Sequence, residues 1–174
     1  AWLVFGLAFV AAIAFVAICG YIAAPYLEIA DEFPEAKREI NEVAGFSGPL
    51  KVFITAPAES FVWGDATEGV REDLMNIPEK TLFPGALIIA LALAGLFSRG
   101  ILDRRLRIGL AVAAVLIMAL ELGFRVEDGL LWPYRVVYEV LPGWDAIRTP
   151  GRLATFSSLA LALLAAAGAE ALMR

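Results

Sequence analysis

Histidine is absent from the 174 residues, and cysteine occurs once, at Cys19. The first absence removes the commonest metal ligand and the usual neutral-pH proton carrier. The second excludes a disulfide within the chain. Charge is also scarce, at 19% of residues, against roughly 25% in soluble domains. With a net charge of −5, no basic face is available for nucleic acid. Glycine-rich phosphate loops, Cys-x-x-Cys pairs and Ser/His/Asp sets are missing too. No catalytic residue, cofactor or metal is assigned. The acidic cluster Asp31, Glu32 and Glu35 lacks any cation-loop spacing and reads as a solvated face.

The excess is apolar. Hydrophobic residues make up 60% of the chain and fall into four blocks, which predicts a membrane protein rather than a large soluble core. The expected fold is all-α: a polytopic membrane protein with four transmembrane helices and two extracytoplasmic interludes carrying short amphipathic helices. It forms a single membrane domain over 1–174. The spans are placed at about 1–24, 82–98, 106–124 and 153–173, the outer loops at 25–81 and 125–152, and a cytoplasmic loop at 99–105. Pro25 is expected at the exit of the first span, and Pro84 in the first turn of the second. The chain opens inside an apolar run, AWLVFGLAFV, as expected of part of a longer protein.

Between the first two spans, Leu27 to Leu82 holds twelve acidic and five basic side chains, a net of −7. Phe33, Ala36, Ile40 and Val43 recur at helical spacing and predict an amphipathic helix ending at Gly45. KVFIT, residues 51–55, is expected as a short strand or extended piece. RGILDRRLR, residues 99–107, carries four basic residues and one acidic. Lys and Arg concentrate in short cytoplasmic loops, so this loop is placed inside, with both termini, and both interludes outside. The expected location is the bacterial cytoplasmic (inner) membrane. The expected partners are membrane lipids and other transmembrane helices, given the small residues that line the spans.

Candidate site residues cluster around the second interlude. Arg148 and Arg152 flank Thr149-Pro150-Gly151 just before the fourth span. They suit either a lipid phosphate, gripped by guanidinium, or a structural clamp in which Arg148 pairs with Asp145 or Glu139. Trp63, Trp132, Tyr134, Tyr138 and Trp144 form either an interfacial aromatic belt or a flat platform for a sugar. Glu121 is an intramembrane carboxylate near the outer end of the third span. Glu170 pairs with Arg174 one turn on.

Three stretches occur in a telling order: Ala56-Pro57 to Gly64 (APAESFVWG), Glu79 to Gly85 (EKTLFPG), and Leu141 to Arg152 (LPGWDAIRTPGR). Together they resemble the membrane half of bacterial multi-spanning proteins of the GT-C glycosyltransferase-like group, over residues 35–170. The resemblance implies sugar transfer from a polyprenyl-phosphate-linked donor. The group's catalytic acid lies in an early outer loop that would precede Ala1, so no catalytic role passes to Asp31 or Glu32. Two functions follow. One is a segment of a GT-C-like membrane glycosyltransferase that itself lacks the catalytic acidic loop. The other is a non-catalytic accessory or structural subunit packed into a larger membrane complex.

Overall fold

The computed structural model describes residues 2–33, 37–99, 101–124 and 133–174, and every regular element in them is helical. All-α is therefore the observed class. The chain divides into two units, Ala1–Arg38 and Glu39–Arg174.

The first unit is one helix, α1 (Trp2–Glu32), apolar on every face through most of its length. It does not stop at Pro25, as the sequence suggested, but runs on to Glu32. A proline inside a helix removes one N–H donor, here the bond to the Tyr21 carbonyl, without necessarily ending the helix.

The second unit combines a helical bundle with a polar cap. The bundle holds α4 (Ala86–Phe97), α5 (Arg104–Glu121) and α7 (Ala154–Met173). The 3₁₀ turn Pro150–Leu153 leads directly into α7, and together they form a helix long and apolar enough to cross a membrane. Among the described residues, Phe9–Pro25 within α1 and Ala86–Phe97 are shorter apolar helical stretches. The block expected at 82–98 is helical only from Ala86, because Pro84 and the positive-φ Gly85 precede its first turn. Its twelve residues rise about 18 Å.

α4 and α7 both start at the cap and run in the same direction; α5 runs the opposite way and packs mainly on α7. Gly95 and Gly168 bring the two parallel helices into backbone contact. A Cβ on Gly95 would collide with the Leu164 carbonyl, and one on Gly168 with the Leu91 carbonyl. Ala92, Leu164 and Ala165 fill the rest of the seam, with Leu110 and Ala111 of α5 against it. At the far end, Asp103 caps α5 by accepting from Arg105 N at 2.9 Å. Arg107 reaches back to cap α4, donating to the Leu96 carbonyl at 2.9 Å and also to Ser98 O. A cation at a helix C-terminus is favoured by the free carbonyls and the dipole.

The cap contains α2 (Ile40–Phe46), α3 (Glu68–Arg71) and α6 (Pro133–Val140), joined by 3₁₀ turns. α2 is shorter than the helix expected from Phe33, and Gly45 lies inside it rather than ending it. The chain leaves at Ser47, which turns extended ahead of Gly48-Pro49 and folds its hydroxyl back onto Val43 O at 2.9 Å. Leu50–Ile54 is a 3₁₀ turn, not the expected strand. Val52 O accepts from both Thr55 N at 3.2 Å and Leu82 N at 3.0 Å, so its polar groups are satisfied without a ladder. Two small cores hold the cap together: Val43, Phe124 and Tyr134 in one, and Val52, Leu74 and Leu122 in the other. Gly123, at φ +62, lets the chain turn off the end of α5 against Ser47 and Pro150.

Candidate functional site

Arg148 and Arg152 lie on the corner that returns the chain to α7, and each meets a carboxylate from the first interlude. Arg148 Nε lies 3.1 Å from Glu42 Oε1 of α2, with its guanidinium 4.4 Å from the Phe46 ring centroid. Arg148 is thus paired with Glu42, a residue sequence spacing did not suggest. Arg152 Nη2 lies 3.4 Å from Glu79 Oε1, and its side chain stays 77% exposed. Between them, Thr149, Pro150 and Gly151 are buried. A Cβ on Gly151 would meet the Glu79 carbonyl, so this corner sits tightly on the Ile77–Lys80 turn. Asp145 is engaged too. Arg135, not Arg148, holds Glu139, at 2.8 Å.

The aromatic residues divide. Tyr134 is fully buried, edge-on to Phe124 at 5.3 Å and to Trp144 at 5.8 Å, and its hydroxyl donates to Ile147 O at 3.3 Å. Burial, with Tyr138 adding, pushes its pKa up to about 12. Tyr138 packs on Phe124 at 5.2 Å, and burial raises its pKa, with Asp145 and Glu39 contributing. Trp144 is half-buried in this cluster, and Trp63 stands apart, edge-on to Phe83 at 5.3 Å. Tyr134, Tyr138 and Trp144 thus pack together with Phe124. Trp132 and Glu35 lie outside the described residues.

Glu121 is buried at the cap end of α5 beside the Ser157 hydroxyl of α7. Its Oε1 has no hydrogen-bond partner among the described residues. Glu170 pairs with Arg174, as expected.

Sequence reading missed two features of the cap. The APAESFVWG stretch closes into a loop around Arg71, whose Nη1 donates to Ala56 O at 2.9 Å and Gly64 O at 3.1 Å. Thr67 Oγ1 completes the node, accepting from Ala56 N at 3.1 Å and donating to Trp63 O at 2.8 Å. Arg71 is therefore a structural cation.

The second feature is a cavity of about 520 Å³, lined among others by Gly45, Lys51, Asp73, Leu74, Asn76 and Lys80. Lys80 is only 7% exposed, and burial lowers its pKa. In the sequence it is one lysine in a polar stretch, with nothing to distinguish it from a solvated one.

No group of His, Cys, Asp and Glu among the described residues could hold a metal ion. No protein-family model, curated protein or solved structure matches the chain.

Proposed function

We propose that the chain is a non-catalytic, membrane-embedded structural segment of a larger assembly, with four spans and both polar interludes on the outer side of a bacterial inner membrane. The distribution of side-chain size in the bundle carries this reading. Buried in the bundle are Gly95, Gly168, Ala92, Ala160, Ala165 and Ala167, with Leu164 the one large apolar side chain among them, while Leu87, Phe97, Val115, Leu159 and Leu163 are exposed. Soluble proteins bury their large apolar side chains, whereas helices in lipid meet through small residues and turn large ones to the acyl chains. The cap is tied to the bundle through Arg148–Glu42 and Arg152–Glu79. Both pairs favour the structural-clamp reading of these arginines.

The test is extraction and copurification. The chain should remain in the membrane fraction after alkaline washing and copurify in fixed ratio with other membrane proteins. Release by alkaline washing would defeat the membrane reading, and purification as a lone monomer would defeat the assembly reading.

A second reading, the later segment of a GT-C-like glycosyltransferase with a polyprenyl-phosphate-linked donor, draws support from Arg152. At 77% exposed and 3.4 Å from its carboxylate, that guanidinium retains free donors for a lipid phosphate. In that case Arg152→Ala would abolish sugar transfer by the parent protein while leaving insertion unchanged. Undiminished transfer would remove a phosphate role for Arg152.

A further inference from the structure

We propose that the cavity between the end of α2 and the Ile77–Lys80 turn binds a small organic phosphate, its acidic group on Lys80 and its apolar body on Leu74, Met75 and Phe124. The proposal is independent of the packing role above and of the two corner arginines.

Three observations converge on it. The first is an unanswered cation. Lys80 lines the cavity at 7% exposure, and among the described residues no hydrogen bond or ion pair reaches its ammonium. The nearby acids have other partners: Asp73 pairs with Lys51 across the same lining at 3.2 Å, and Glu79 with Arg152 at 3.4 Å. The side chain is buried while its ammonium opens on the hollow, and a partly desolvated charge is costly unless paired; burial lowers the Lys80 pKa accordingly. An anion entering the cavity would offset it.

The second observation is local charge. Lys51 and Lys80 against Asp73 leave the lining at +1, within an interlude whose net charge is −7. The lining is thus locally basic within an acidic stretch.

The third is the set of available donors. The Ser47 hydroxyl is engaged on both sides, donating to Val43 O at 2.9 Å and accepting from Phe124 N at 2.8 Å. Asn76 Nδ2 donates to Gly45 O at 3.0 Å. Lys51 is paired with Asp73, so the Lys80 ammonium is the cation without a partner among the described residues, and an ammonium is a point charge suited to phosphate. No arginine lines this cavity, so a bound anion would be held by point charge rather than by a bidentate fork. A volume near 520 Å³ falls within the roughly 300–1,000 Å³ of small-molecule sites. A soluble phosphomonoester and an anionic lipid headgroup share this chemistry.

The experiment uses the full chain in nanodiscs of phosphatidylcholine, titrated with phenyl phosphate by calorimetry and by NMR of methyl-labelled lysines. Saturable binding at roughly millimolar Kd is expected, with a rise in the Lys80 pKa on binding. Lys80→Met should weaken binding by about tenfold or more, since a charge-assisted hydrogen bond is lost, and Lys80→Arg should retain most of it. Adding phosphatidylglycerol separates the sources. Competition with phenyl phosphate, or a Lys80 shift from the lipid alone, identifies a headgroup; undiminished binding identifies a soluble ligand. Equal affinity in Lys80→Met would overturn the proposal. So would a Lys80 resonance unmoved by both phenyl phosphate and phosphatidylglycerol, a readout that holds even if Lys80→Met fails to fold.

Discussion

Tyr134 joins two parts of the cap: its ring lies in the core with Phe124 and Trp144, and its hydroxyl reaches the Ile147 carbonyl, one residue before Arg148. Its raised pKa, about 12 against 10.0, means that the folded protein holds this proton more tightly than the unfolded chain. The stabilisation is complete below pH 10 and is lost as pH rises from 10 towards 12. Tyr134→Phe should cost about 1 kcal/mol below pH 10, for the lost hydrogen bond. It should also flatten the alkaline fall in Tm, and parallel profiles for the two proteins would contradict the assignment. Arg148 makes a smaller contribution because it is half exposed. A double-mutant cycle of Arg148→Met with Glu42→Gln should give a coupling of about 0.5 kcal/mol by thermal unfolding. A value indistinguishable from zero would mean that the corner is held by its buried Thr149-Pro150-Gly151 backbone alone. Neither partner was legible in the sequence. Glu42 lies 106 positions from Arg148, and no local spacing rule reaches that far.

Among the elements, the α4–α7 seam is the most demanding, because it depends on atoms that are missing. Gly168→Ala places a methyl group against the rigid Leu91 carbonyl and should destabilise by about 1–3 kcal/mol. Gly109→Ala, on α5 with nothing within 4 Å, should stabilise by about 0.5–1 kcal/mol through helix propensity. Circular dichroism melts in detergent would show the same substitution acting with opposite sign. Matching shifts would disprove close contact at Gly168. The helices α5 and α7 were legible to within a few residues, since a long apolar run has few alternatives. Short elements were not. KVFIT has strand-forming residues, yet no strand is found among the described residues to receive its backbone, and a 3₁₀ turn satisfies those groups locally.

For the whole molecule, the expected topology is open to direct measurement. A periplasmically active reporter inserted within residues 50–64 should be active, and one at residues 99–103 inactive; the reverse pattern would sink the orientation. The physical basis is the basic loop, where Arg99, Arg104, Arg105 and Arg107 gather within nine residues. In the structure one of these, Arg107, also closes the end of α4, a second use that charge counting does not reveal. Composition and periodicity were enough for the helical class, the apolar blocks and the polar corner before α7, because each follows from how many adjacent residues prefer water or avoid it. Which carboxylate meets which arginine, that Tyr134 and Trp144 form a core, and that Lys80 stands unpaired in a hollow all depend on contacts between distant segments. Such contacts arise when the two interludes fold against each other, and single-residue preferences carry no record of them.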